Sequence, residues 1–303
     1  MEAVGLGTDP DVPPVRNWQV DLLRYAMKPT VIMYGNCHFD NLRWVIPQAP
    51  QFREEMEFIM HSNWMHEERG PSYEDEISRC VKFIYQIGWI DCPFLDRLSP
   101  QCEIFRIPLT TMQPVWPSHI KFMWPEGEKY PIGRFPMRDR IAMRVFEKLR
   151  TAGAAYQEYM NLNMVDETDL GRVLELCEER GREIDSQGDF ALNRYVYDTI
   201  RSQRLFCDHV HPTGALVAFT ADLIFDFLGV RGQMMPVTAA LAGSLIYDFQ
   251  PPVHPQIATF LGIEWAKPDL GYQLWAEGML SFHKHMRAFF DHLAARMASQ
   301  ATG

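Results

Sequence analysis

The stretch Thr30-Val31-Ile32-Met33-Tyr34-Gly35-Asn36-Cys37-His38 decides how this chain is read. Thr30 to Tyr34 are β-branched, aromatic or long and apolar, and none is charged, which is the pattern of a buried strand. Gly35 has no Cβ and permits a sharp turn. Asn36 is a preferred N-cap residue. Leu42, Val45 and Ile46 follow at helical spacing until Pro47 stops the run. Cys37 and His38 therefore stand where a strand ends and a helix begins. In open α/β sheets ligands bind outside the carboxyl ends of the strands. First-turn N–H groups and the helix dipole favour a thiolate or an oxyanion there. Cys37 is a candidate nucleophile on these grounds. The plainer alternative is a small residue filling a tight turn.

Three more strand candidates follow at intervals long enough for a helix between them. They are Met56–Met60, ending at His61-Ser62-Asn63-Trp64, then Cys80–Gln86, then Cys102–Pro108. That rhythm suggests parallel βαβ units and an α/β fold. The Trp- and Pro-rich segment Met112–Phe135 reads as a structured loop, since its aromatics favour burial. From Phe135 the pattern turns helical, with Pro136 suited to a first turn. Met137, Ile141, Val145 and Leu149 recur every four residues. Further helices are expected over Asp166–Glu179, Asp189–Arg204 and the apolar run Gly214–Val230, closed by Gly229. The chain divides into an N-terminal arm (1–27), an α/β catalytic domain (28–230) and a helical C-terminal portion (231–303) packed on it. His283 and His285, among charges near the end, are expected to be solvated.

Composition narrows the function. The 303 residues are 47% hydrophobic and 13% aromatic, enough for a large core. The formal charge is −10, which argues against non-specific nucleic-acid binding. Glu2, Asp9 and Asp11 precede no apolar h-region, so no secretory signal is read. Asp222 and Asp226 interrupt the most apolar segment, so no membrane span is expected and a cytoplasmic location is. The six cysteines form no CxxC pair, and most are expected to be free, buried thiols.

A nucleophilic cysteine needs a base, and the base needs an orienting group. Asp208 and His211 offer both, spaced D-x-x-H ahead of Pro212, with His209 between them. On a short loop the carboxylate can hold one imidazole nitrogen protonated and leave the other free to take a proton. The alternative is a loop-capping Asp208 beside a structural histidine. A local dyad of Cys37 with His38 is a second option. Adjacent residues at a helix start rarely point the same way, so His211 is preferred.

These blocks resemble known families. Gly35-Asn36-Cys37 and Asp208-His209-Val210-His211-Pro212 are similar to the outer Gly-Asp-Ser and D-x-x-H-P blocks of the SGNH/GDSL hydrolases. More closely, the chain resembles the WcbI family of capsular polysaccharide biosynthesis proteins. The residues that carry the likeness are Tyr34-Gly35-Asn36-Cys37-His38, the strand ending at Gln86, Val115-Trp116-Pro117, Asp208–Pro212, and Val253-His254-Pro255, over roughly residues 30–290. The resemblance implies a three-layer α/β sandwich, SGNH- or flavodoxin-like, with a mainly parallel sheet. It implies acetyl transfer from coenzyme A to a sugar hydroxyl in polysaccharide (capsule) biosynthesis. Two departures from the hydrolase pattern stand out. The nucleophile is cysteine rather than serine, and the Gly-x-Asn-Asp block is missing, so Asn63 or Gln86 is expected to supply the oxyanion donor. An esterase or deacetylase using water is the nearest competitor. A metal-binding protein or a non-catalytic coenzyme A or sugar binder belongs to a different class, and no metal is expected.

Coenzyme A carries a pyrophosphate and a 3′-phosphate, so its site needs cations. Lys121, Arg134, Arg138, Arg140 and Arg144 form the densest basic run, with Trp116 and Trp124 available to stack on adenine or line the pantetheine channel. Arg134 and Arg138 would address a phosphate from the first turn of the helix opened by Pro136. Arg43 is a further candidate at the site mouth. Arg140 and Arg144 read as a solvated helix face.

Overall fold

Strand β1 (Thr30–Gly35) is buried along its whole length at the centre of a parallel sheet. Its neighbours are β2 (Glu57–Ser62) and β3 (Cys80–Ile87), with β4 (Glu103–Pro108) outside β3, in the order β2-β1-β3-β4. Alternate side chains face opposite layers. Val31 and Met33 enter one apolar cluster; Ile32 and Tyr34 enter another with Phe83, Phe94 and Ile77. Burial on both faces explains the unbroken apolar run, as in other parallel sheets. Each such side chain contributes about 1.5–3 kcal/mol when fully buried. The α/β fold with a parallel sheet and a helical C-terminal part is the one expected. The computed structural model describes residues 28–63, 73–88, 92–121, 134–244 and 247–301. The N-terminal arm and Trp124 lie outside the described residues.

Helices α1 (Cys37–Asp40), α2 (Gln51–Glu54) and α3 (Glu74–Ser78) belong to the strand-bearing half. The hairpin of β5 (His119–Lys121) and β6 (Met137–Asp139) leads into α4 (Arg140–Leu149), α5 (Ala152–Asn161), α6 (Met164–Glu167), α7 (Leu170–Asp185) and α8 (Leu192–Thr199). After them come α9 (Gly214–Phe227), α10 (Arg231–Ala242), α11 (Pro255–Leu261), the short antiparallel pair β7 (Tyr272–Gln273) and β8 (Met279–Leu280), and α12 (Phe282–Ala301). Helix α12 packs on α4 and α5, and one apolar cluster runs from Val31 to Phe290. Among the described residues no helix is long and apolar enough to cross a membrane.

Several local expectations need correction. The helix after Cys37 is a single turn, and the chain then passes through turns into a 3₁₀ segment, Ile46–Gln48. Pro47 explains this, because the residue before a proline is pushed out of the helical region. Leu42, Val45 and Ile46 are still buried. Pro136 does not open a helix either. Residues 137–139 are held extended by pairing with β5, and Asp139 caps α4 by accepting from the Ile141 and Ala142 N–H groups (2.8 and 3.0 Å). Within the C-terminal portion, β7 and β8 interrupt a segment read as helical. His285 is buried against Phe135 rather than solvated, whereas His283 is exposed as expected, its ring pairing with the Tyr156 hydroxyl at 2.9 Å. Gly35 matters less for its turn than for close approach: a Cβ there would lie 2.6 Å from the Phe39 ring.

Candidate active site

The carboxyl end of β1 delivers Asn36 and Cys37 to the edge of the sheet. Asn36 does what its cap position predicts: its side-chain oxygen accepts from the His38 N–H at 2.9 Å. That bond fixes the first turn of α1, on which Cys37 is half-buried. Opposite it lies the loop Phe206–Pro212, closed on itself by an antiparallel bridge between Phe206 and Pro212 and by a Cys207 N–H to His211 carbonyl bond of 2.8 Å. Asp208 organises the interior of this loop. One carboxylate oxygen accepts from the Val210 and His211 N–H groups, both at 2.8 Å. The other meets His211 Nδ1 at 2.6 Å. The His211 imidazole also lies within interaction range of the Cys37 thiol, which helps to hold its proton. Residues 171 positions apart and more are thus joined into a thiol–imidazole–carboxylate relay.

The electrostatics follow from burial and pairing. Burial opposes a charge on His211. The Asp208 hydrogen bond, the Cys37 hydrogen bond and the charges of both partners outweigh it, and the imidazole is pushed up to about 9. Burial likewise raises Asp208, yet the His211 ring and the two loop N–H groups hold it below the usual carboxylate range. At neutral pH the loop therefore presents an imidazolium, a form that stabilises a thiolate beside it. His38 behaves differently. It is buried, and desolvation together with the His211 charge lowers it to about 4, so it stays neutral. The local dyad has the weaker geometry: His38 packs against the Phe206 ring, 6.5 Å between centroids, and feels the Val210 backbone. His209 is also buried, with its carbonyl accepting from the Met112 N–H at 2.8 Å.

Of the two oxyanion candidates, Gln86 is tied to the site: its Oε1 accepts from the Asn36 N–H at 3.1 Å, leaving the amide nitrogen as donor. Asn63 stands one residue past Ser62, which is in register with Gly35. Three further residues complete the site without having been read from the sequence. The Tyr247 ring lies against His211, 4.6 Å between centroids, and its hydroxyl accepts from the Asn41 amide at 2.9 Å. Burial is the main reason the Tyr247 hydroxyl is pushed up to about 12. Arg204 braces the loop from behind, donating to the Phe206 carbonyl (3.2 Å), the Cys207 carbonyl (3.5 Å) and Gln250 Oε1 (3.1 Å). Asn41 carried a faint signal, four residues after Cys37 on the same turn. Tyr247 and Arg204 carried none, because only the tertiary fold brings them here.

The cofactor candidates scatter. Arg43 is near the nucleophile: it donates to Asp40 (3.3 Å) and to the Ser62 hydroxyl (3.1 Å), and Ser62 donates to the same Asp40 oxygen at 2.5 Å. Arg43 also lines a cavity of about 280 Å³ with His61 and Tyr73. Arg134 is ion-paired with Glu277, and its carbonyl accepts from the Trp275 indole. Arg138 is buried in β6 opposite Ile120, not in a helical first turn. Lys121 ends β5, paired with Met137. Trp116 is 1% exposed with its indole N–H on the Pro251 carbonyl (3.1 Å), so its ring has no face left for an adenine. Arg144 pairs with Glu167 on the surface. Among the described residues no group of three or more His, Cys, Asp or Glu side chains is arranged to hold a metal ion.

Comparison with known proteins gives two matches. The family model for the polysaccharide biosynthesis enzyme WcbI matches residues 30–233. A solved structure aligns with a TM-score of 0.57 at 16% sequence identity, covering 89% of this chain and 90% of that one. It is described as the native form of WcbI, a novel polysaccharide biosynthesis enzyme, without a disulfide bond between coenzyme A and one of its cysteines. At that identity the likeness speaks to the fold. No curated protein matches the chain in sequence.

Proposed function

The chain belongs to the WcbI family of polysaccharide biosynthesis enzymes, and from that footing we propose that it transfers an acetyl group from coenzyme A to a sugar hydroxyl. The observation that carries the reading is the Cys37–His211–Asp208 relay at the carboxyl end of the central strand. The related solved structure is described as the native protein without a disulfide bond between coenzyme A and one of its cysteines, a description that pairs the two. Carried to this chain, the cysteine that meets coenzyme A is Cys37.

In this mechanism Cys37 reacts as the thiolate paired with the His211 imidazolium, whose Nδ1–H is held by Asp208. The sulfur attacks the thioester carbonyl of acetyl-coenzyme A. The free Cys37 N–H in the first turn of α1, with Gln86 or Asn63, receives the developing oxyanion. As the carbonyl re-forms, the bond to the coenzyme A sulfur breaks and His211 protonates the leaving thiolate. The acceptor hydroxyl then gives its proton to His211 while its oxygen attacks the acetyl carbon, and Cys37 leaves as thiolate. Arg43 is the cation best placed for a coenzyme A phosphate, since the fold brings it to Ser62 at the end of β2. Use of Arg134 would require a phosphate to displace Glu277. Arg138 and Lys121 would act from the hairpin behind the catalytic loop, where His119 feels the charges of Asp208 and His209.

The test is thiol release from acetyl-coenzyme A by the wild type and by Cys37→Ser, with and without sugar acceptors. Release that needs Cys37 and rises with a sugar supports the reading. Steady release of acetate whatever sugar is added would make water the acceptor and the protein an esterase. No release at all would overturn it.

A further inference from the structure

A second cavity, of about 450 Å³, opens on the other side of the catalytic loop from Arg43, next to β4 rather than β2. One wall is the loop itself: His209 and Val210, the two residues before the base His211. A second is the segment that leaves β4, including Thr111 and Gln113. The third is the α7–α8 pair, with Arg180 and Tyr197. We propose that this cavity binds the acceptor, and that the acceptor is a sugar carrying a negative charge, a carboxylate or a phosphate. The proposal rests on the acyl-transfer reading for its role, and on the following observations for its chemistry.

Size and position come first. A cleft of this volume, mixed in polarity and walled by residues adjoining the catalytic base, is what a small-molecule subsite looks like. In a parallel sheet it lies where ligands gather, at the strands' carboxyl ends. With the coenzyme A phosphate read at Arg43 and the β2 edge, the β4 side is left for the second substrate.

The lining supplies the rest. Arg180 is exposed at the rim and makes no ion pair among the described residues, although α7 carries Glu178, Glu179 and Asp185. Two of those acids have other partners, although the Glu178 charge also reaches Tyr197. Glu178 pairs with Arg182, and Asp185 caps α8 by accepting from the Asn193 and Arg194 N–H groups (3.0 and 2.9 Å). An unpaired guanidinium over a cavity fits a carboxylate or phosphate, which it can hold with two hydrogen bonds. Gln113 donates its amide nitrogen to the Trp116 carbonyl at 3.0 Å, leaving its side-chain oxygen to accept from a sugar hydroxyl. Tyr197 is half-buried and offers an aromatic face. Gly181 lets α7 and α8 pack closely here: a Cβ there would meet Asn193 Cβ at 3.0 Å, a tight approach that Asn193 would have to yield to.

The experiment is saturation-transfer NMR of the full chain with three probes: methyl glucuronide, glucose 1-phosphate and methyl glucoside. The wild type should bind one or both anionic probes about fivefold or more tightly than the neutral one, a difference of the size one partly solvated charge contact gives. The glucuronide and the phosphate arms separate the two sources of charge. Arg180→Ala should erase the preference while Tyr197→Phe keeps it, and Arg180 is exposed, so its loss leaves the core intact. Equal binding of charged and neutral probes, binding unmoved by Arg180→Ala, or no binding of any probe would overturn the proposal. Thiol release from acetyl-coenzyme A without a sugar is measured alongside. Its absence, with the charge preference intact, would sink acyl transfer and leave the anionic-sugar site standing.

Discussion

Asp208→Asn isolates the electrostatic core of the site. The asparagine oxygen can still accept from the Val210 and His211 N–H groups that Asp208 binds at 2.8 Å, so the loop keeps its shape. The other position changes from acceptor to donor. It would now donate to His211 Nδ1, and the imidazole proton would move to the nitrogen facing Cys37. Asp208 is the larger of the two partners that lift His211 to about 9. Lifting a histidine from its ordinary 6.5 to about 9 represents roughly 3 kcal/mol in favour of the charged ring. Without the carboxylate, burial dominates, and His211 should titrate at about 6.5 or lower. Because the folded value is raised, its contribution to stability is full below about pH 6.5 and is lost as pH rises through about 9. The variant should therefore lose up to about 3 kcal/mol of stability at pH 6 and much less at pH 10. Acylation should slow by about 10²-fold or more, from the wrong tautomer. Imidazole NMR titration of both proteins, with urea unfolding at the two pH values, reads all but the rate. An unchanged His211 titration in Asp208→Asn would refute the reasoning.

Other consequences can be measured independently. His211→Ala should slow acylation more than Asp208→Asn does; a crippled His38→Ala beside a mild His211→Ala, in stopped-flow thiol release, would transfer the base to His38. His38, His119 and His254 are held at about 4 and His285 at about 3, chiefly by burial, so each folded value lies below the unfolded 6.5. Their stabilising share is present above about pH 6.5 and fades as pH falls through 4, so Tm should drop steeply over that window; a flat calorimetric Tm from pH 7 to 4.5 would contradict this. Trp116→Ala should cost about 3–5 kcal/mol in chemical denaturation, as a core ring does. Unchanged stability with lost coenzyme A affinity would return Trp116 to the ligand site. Tyr247→Phe should slow turnover several-fold through the lost Asn41 bond while leaving the fold intact; a rate equal to wild type would remove Tyr247 from the site.

The central strand was legible because burial on both faces writes itself as an unbroken apolar run, and the other three strands, although Glu57, Lys82, Glu103 and Arg106 interrupt them, overlap the segments read at helix-length intervals after it. The D-x-x-H loop was legible because Asp208 and His211 satisfy each other within four residues. What failed did so for local reasons with tertiary causes. Met137 has helical spacing to Ile141, yet pairing with Lys121 holds it in a strand. His285 sits among charges in the sequence, but its helix turns it onto Phe135. Trp116 looked like a stacking residue because composition cannot tell an aromatic lining a pocket from one filling the core. Tyr247 lies 206 residues from the Asn41 it binds, a separation at which no spacing rule operates.

The central claim is that Cys37 carries the acetyl group between donor and acceptor. Brief incubation of the full chain with acetyl-coenzyme A, acid quenching and peptide mass spectrometry test it directly. The account predicts an acetyl mass increment on the peptide holding Cys37, absent from Cys37→Ser and discharged when the acceptor sugar is added before the quench. An acetyl group on another residue, or turnover by Cys37→Ser at the wild-type rate, would contradict it.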